Sequence, residues 1–123
     1  MSPRPLTIDT SPMVNRPRVK EGAIQAAILA QLVAMGIACW RQNTGAAKDK
    51  RGRLVRFGVV GQGDLAGILP GGRYFEIECK AERGRITPAQ RARAEQLAAA
   101  GALYIVAREV ASTVLAIRRA AGI

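Results

Sequence analysis

Residues 61–80, GQGDLAGILPGGRYFEIECK, constrain the fold more than any other part of the chain. An aspartate, Asp64, follows a glycine turn. A short apolar run, Leu65 to Leu69, leads into the turn signal Pro70-Gly71-Gly72. The next run, Arg73 to Lys80, has the alternation of a strand, and the two runs together predict a hairpin. Alternate side chains of a strand share a face. Glu76, Glu78 and Lys80 therefore point one way, and Phe75, Ile77 and Cys79 the other. Two carboxylates and an ammonium on one face of an otherwise apolar strand are costly unless they pair or hold a metal. Only nine residues of the chain are acidic, against nineteen basic ones, and three of the nine lie in this segment.

The flanking sequence predicts one folded domain over residues 19–123, preceded by a flexible basic arm over residues 1–18 that holds four prolines and no periodicity. Ile24, Ile28, Leu32 and Met35 form a helical stripe that Gly36 stops, and Glu21 shares that stripe. Ile37 to Arg41 predicts a strand, residues 43–52 a polar loop, and Leu54 to Val60 a second strand. Thr87, Pro88 and Gln90 form a T-P-x-Q helix start, in which Gln90 completes a capping box. That helix ends at Gly101. Ala102 to Ala107 predicts a buried strand, and about Val110 to Arg119 a last helix. The order predicts an α/β sandwich around a mixed sheet flanked by helices. Trp40 is expected in the core.

The net charge of +10 points to nucleic acid as a partner. Arg41, Lys48, Lys50, Arg51, Arg53 and Arg56 are expected to contact phosphates without reading sequence, and Asn43 to present an amide to DNA. Arg83, Arg85, Arg91 and Arg93 form a second basic cluster. No apolar run is long enough to span a bilayer, so no membrane partner is expected. Cys39 and Cys79 predict buried free thiols in a reducing, cytoplasmic setting. Two cysteines without histidine build no zinc cluster.

Hydrolysing a phosphodiester needs charge neutralisation at the phosphate and an activated water. Magnesium or manganese takes oxygen ligands from a few carboxylates and keeps several waters. Asp64 at a strand start and Glu78 on the adjacent strand suit one such ion. Lys80, on the face of Glu78, suits contact with the phosphate or orientation of the attacking water. The plainer reading is that Glu78 and Lys80 form an ion pair and that Asp64 caps a glycine turn. For Glu21 the plainer reading is macrodipole stabilisation of a first helical turn.

With these residues in place, the chain resembles the PD-(D/E)XK nuclease superfamily and, within it, the small stand-alone VRR-NUC domains of viruses and bacteria. The resemblance rests on Glu21, R-x-N-T-G at Arg41 to Gly45, G-x-G-D-L at Gly61 to Leu65, E-x-K at Glu78 to Lys80, and Gln90. It covers about Lys20 to Ala107. Where the superfamily has a proline before the aspartate, this chain has Gly63. The resemblance implies a restriction-endonuclease-like sandwich and a magnesium- or manganese-dependent DNA endonuclease. By similarity Asp64 and Glu78 bind the ion, the Cys79 carbonyl is a further ligand, Lys80 is the catalytic lysine, Glu21 supports the metal through water, and Gln90 belongs to the same site. It also implies a bacterial or phage origin, branched DNA such as four-way junctions as substrate, and a homodimer that supplies two symmetric cuts. The alternative reading is a non-catalytic basic nucleic-acid-binding module with a nuclease-like fold.

Overall fold

A computed structural model describes residues 7–10, 20–42 and 45–123. The elements in chain order are β1 (Thr7–Thr10), α1 (Glu21–Ala34), β2 (Ala38–Arg41), β3 (Gly45–Lys48), β4 (Leu54–Phe57), β5 (Leu65–Ile68), β6 (Tyr74–Cys79), α2 (Pro88–Ala99), β7 (Leu103–Ala107) and α3 (Val110–Ala121). Five strands form one mixed sheet in the order β1-β7-β6-β5-β2. β1 and β6 run parallel to β7, whereas β5 runs antiparallel to both β6 and β2. No helix among the described residues is long and apolar enough to cross a membrane.

The alternation in β6 decides which side of the sheet each layer occupies. Phe75, Ile77 and Cys79 pack with Ile24, Ile28 and Leu32 of α1 and Ile117 of α3. The opposite face receives α2, where Ala94 and Leu97 meet Tyr104 and Val106 of β7. Glu76 and Glu78 stand in register with Tyr104 and Val106, so they lie on the α2 side. Beside them on that face β7 is apolar, while Glu78 meets the N-terminal end of α2, where Gln90 bonds it.

Four expectations are corrected. Thr7–Thr10 lies within the segment expected as a flexible arm, yet it forms the edge strand β1. Its anchor is chemical: the Thr10 hydroxyl lies 3.1 Å from the Val106 carbonyl and 2.9 Å from the Thr113 hydroxyl, and accepts the Arg108 N–H at 3.2 Å. Gly45–Lys48, expected as polar loop, pairs with β4 as a separate antiparallel ribbon. Trp40, expected in the core, is 43% exposed because β2 is the edge of the sheet. Cys39, expected buried like Cys79, is only half-buried on the same edge strand. The Asn43 position lies outside the described residues.

Candidate functional site

The turn before β5 is built around a buried carboxylate. Glu76 is 0% exposed and accepts four hydrogen bonds: from the Gly63 N–H at 2.8 Å, from the Tyr74 hydroxyl at 2.7 Å, and from Arg93 Nε and Nη2 at 3.2 and 2.6 Å. Burial alone would push its proton affinity up. The Arg93, Tyr74 and Gly63 donors outweigh burial and hold the carboxyl below its usual range. Gly63 is fixed twice over. Its N–H is committed to Glu76, and a Cβ there would approach the Ile77 backbone to within 2.8 Å. A proline offers no N–H and adds a Cβ, so this turn excludes it.

Asp64 therefore leaves the turn in a fixed direction. Its Oδ2 accepts the Cys79 N–H at 2.8 Å, and its carbonyl accepts the Gln42 N–H at 2.8 Å. One carboxylate oxygen thus ties β5 to the end of β6. Burial, with a contribution from the neighbouring Glu21 charge, raises the Asp64 pKa above its ordinary value.

Glu78, 7% exposed, lies opposite Asp64. Gln90 Nε2 donates to its Oε1 at 2.9 Å, and Lys80 Nζ stands 3.7 Å from the same oxygen. Burial and the charges of Asp64 and Glu21 push Glu78 up to about 7, against the pull of Lys80. Gln90 serves two elements at once. Its Oε1 accepts the Thr87 N–H at 2.9 Å and its own N–H reaches the Thr87 hydroxyl at 3.1 Å, the reciprocal capping box, while its amide nitrogen reaches into the site. Gly61 allows this approach: it has φ +81°, and a Cβ there would lie 2.2 Å from the Ala89 carbonyl oxygen at the start of α2.

Asp64, Glu78 and Gln90 line one cleft of about 510 Å³, together with Gln25 of α1, Gln42 and Gly61. Lys80 and Glu21 stand outside its wall. Glu21 is exposed, and its Oε1 accepts the Ala81 N–H at 3.0 Å, so it ties α1 to the chain just after Lys80. The inward direction expected for Glu21 is thereby corrected: it opens α1 at the rim, as a first-turn acid suits. Of the basic residues, Arg41, Lys48, Lys50, Arg51, Arg53, Arg56, Arg83 and Arg85 are exposed. Arg93 is not a free cation as the second basic cluster implied, because Glu76 holds it.

The arginine that pairs with Glu76 is Arg93, and the roles of Tyr74, Tyr104 and Arg108 escaped the sequence reading. Arg93 and Tyr74 hold Glu76, and Tyr104 bonds the Gly61 carbonyl at 3.3 Å. Arg108 Nη1 lies within 2.6–3.2 Å of the carbonyls of Ala81, Glu82 and Gly84, while its Nε pairs with Asp9 at 2.9 Å. It fastens the segment after Lys80 to β1. No local sequence signal marks Arg93, Tyr104 or Arg108, since their partners are distant in the chain, whereas Tyr74 lies two residues from Glu76 on the same strand face.

Two acids whose proton affinity is raised by burial and neighbouring negative charge, Asp64 and Glu78, stand with Lys80 beside them and Glu21 at the rim, and such oxygen donors could serve a hard cation. Among the described residues no three carboxylate, thiolate or imidazole side chains close into a ready-made cage. Asp64 and Glu78 are the residues that could hold an ion, one that kept most of its waters. The titration of Glu78 carries a testable sign. Its proton is held more tightly in the folded chain than at the ordinary value of 4.5, so folding takes up a proton between about 4.5 and 7. Stability of the metal-free protein is therefore expected to fall as pH rises through that window. Glu78→Gln is expected to remove this slope, by about 1–3 kcal/mol across the window. Thermal melts in EDTA at several pH values check this; equal slopes for wild type and variant would count against it.

Comparison with protein-family models finds no match to this chain, and a search of curated proteins finds no matching relative.

Proposed function

We propose that the chain is a divalent-metal-dependent endonuclease that hydrolyses DNA phosphodiester bonds, with a site of the PD-(D/E)XK type and motifs similar to VRR-NUC domains. The observation that carries the reading is the pairing of Asp64 and Glu78 across one polar cleft, with Lys80 beside Glu78, in a domain of net charge +10. Asp64 and Glu78 would hold magnesium or manganese. When bound, such an ion supplies Lewis-acid polarisation of the scissile phosphate and acidifies water. Lys80 places a positive charge at the edge of that phosphate, and Gln90 holds the Glu78 carboxylate in its rotamer. The N-terminus of α2, where Thr87, Ala89 and Gln90 line the cleft, adds the positive end of the helix dipole.

The departure at Gly63 has a local cause. The turn that delivers Asp64 is made by an N–H bonded to Glu76 and by the absence of a Cβ. A proline would serve neither purpose, so this turn requires the glycine.

Branched DNA and a two-fold dimer follow from the resemblance and complete the proposal. The test is cleavage of labelled four-way junctions, flaps, single strands and plain duplex, with magnesium, manganese or EDTA. Metal-dependent cutting with a preference for junctions is expected, with light scattering on the same sample giving a dimer. DNA binding without cutting in any metal would reduce the protein to a binding module.

A further inference from the structure

The β3–β4 ribbon is the part of the molecule that the cleft does not explain. It spans Gly45–Phe57 outside the main sheet, and no other described element packs extensively against it. A two-stranded hairpin without such packing is marginal in water. This one is nevertheless carefully built at its tip. The Asp49 carboxylate accepts the N–H groups of Arg51 and Arg53 at 2.8 and 2.9 Å and pairs with Arg53 Nε at 3.3 Å, and the Asp49 N–H donates to the Arg53 carbonyl at 2.8 Å. Lys50 and Arg51 project from that rigid turn, both exposed. Along the strands the register sorts the side chains. Lys48 and Arg56 share one face with Ala46 and Leu54, while Ala47 and Val55 lie on the other.

Both ends of the ribbon are tied to the candidate site. Before β3, the Gln42 N–H bonds the Asp64 carbonyl and its amide reaches the Gly63 carbonyl at 3.3 Å. After β4, Val60 and Gly61 line the cleft. A nucleic acid lying in the cleft must pass the root of the ribbon.

We infer that the ribbon is a DNA-docking arm that enters the major groove of B-form duplex beside the cleft, with Lys48, Lys50, Arg51 and Arg56 on the flanking phosphates. Three observations select this occupant. The arm holds five basic side chains and one acid, and that acid is occupied in the turn. A two-stranded ribbon fits the major groove, about 12 Å wide, and not the minor groove, about 6 Å wide. On its second face Ala47 stands opposite Val55, an apolar pair that suits contact with thymine methyls. Strands of four residues reach about 13 Å from the cleft at roughly 3.3 Å per residue. At about 3.4 Å per nucleotide along a strand, that is about four base pairs. The inference rests on DNA as the partner in the proposed function, but not on hydrolysis.

The experiment uses the full chain with Lys48, Lys50, Arg51 and Arg56 all changed to Gln, in EDTA so that nothing is cut. All four side chains are exposed, and an unchanged thermal melt confirms folding. Anisotropy with a labelled B-form duplex is expected to show affinity lower by on the order of a hundredfold at physiological salt. The slope of log affinity against log salt is expected to become shallower by about 3–4. The hydroxyl-radical footprint should shorten by about four base pairs on one side. Affinity within about threefold of wild type with an unchanged salt slope would overturn the inference. So would an equal loss on duplex RNA, whose A-form major groove excludes a ribbon. A third overturning result is dissociation of a dimer by Val55→Glu combined with unchanged DNA binding by the quadruple variant, which would make the ribbon an interface between copies. Weakened binding by the variant, together with a wild type that cuts no DNA in any metal, leaves the arm standing and removes only the hydrolase reading.

Discussion

Arg93→Ala is expected to destabilise the protein by about 3–5 kcal/mol, the usual consequence of stranding one partner of a buried ion pair. Small domains have total stabilities of about 5–15 kcal/mol, so the loss is a large share. Glu76 is wholly buried, and Arg93 supplies two of its four hydrogen bonds. Without Arg93, the Tyr74 hydroxyl and the Gly63 N–H remain. These neutral donors leave a negative charge inside the α2 layer with no counter-ion.

The pH dependence identifies this cause. In the wild type, the donors hold Glu76 below its ordinary value despite burial. It therefore adds stability above the unfolded carboxylate pKa and loses it as pH falls. In Arg93→Ala burial dominates, the folded carboxyl binds its proton more tightly, and stability falls as pH rises instead. The deficit relative to wild type should be larger at pH 8 than at pH 4. Adding Glu76→Gln to Arg93→Ala removes the stranded charge and should recover part of the loss. Denaturant melts check all three statements. A variant within about 1 kcal/mol of wild type at pH 8 would show that the ion pair is not what holds this layer.

The same pair explains why the site was only partly legible in the sequence. The parity of β6 was readable, because period-2 alternation places Glu76, Glu78 and Lys80 together before any partner is known. The T-P-x-Q start of α2 was equally local, and the structure adds only that Gln90 also reaches Glu78. Arg93 was not readable. Arg91 and Arg93 are two residues apart on one helix, and nothing in that helix says which turns inward; the answer lies seventeen residues upstream, in Glu76. β1 was hidden for a similar reason. Four residues among prolines become a strand only through pairing with β7 and the Thr10–Thr113 contact, about a hundred residues away in sequence. Residues 43–52 read as polar loop because Gly45–Lys48 is too small and plain to announce a strand, and its pairing with β4 supplies what the sequence lacks. Trp40 misled because its size argues for burial, while its position on the edge strand β2 decides its exposure.

Asp64→Asn is expected to lower metal-dependent DNA cleavage by about a thousandfold or more, about 4 kcal/mol of lost transition-state stabilisation. The amide keeps an oxygen where Asp64 Oδ2 accepts the Cys79 N–H, so the tie between β5 and β6 survives while the charge is removed. Removing that charge also relieves Glu78, whose raised proton affinity owes part of its shift to Asp64. The variant should therefore be at least as stable as wild type at pH 8. In EDTA it should bind DNA as well or better, because one carboxylate fewer faces the phosphates. Lys80→Ala is expected to cut about a hundredfold more slowly, through loss of a positive charge at the phosphate. Its second effect runs the other way from Asp64→Asn: Lys80 holds the Glu78 proton affinity down, so its removal should move the rise of activity with pH to higher pH. A merely structural Glu78–Lys80 ion pair predicts a different pattern, with small changes in stability and cleavage within about threefold of wild type for both variants. Single-turnover cleavage across pH, on folded variants with measured DNA affinity, separates the two. Loss of cutting with retained binding places the chemistry at Asp64 and Lys80, and retained cutting removes it from this cleft.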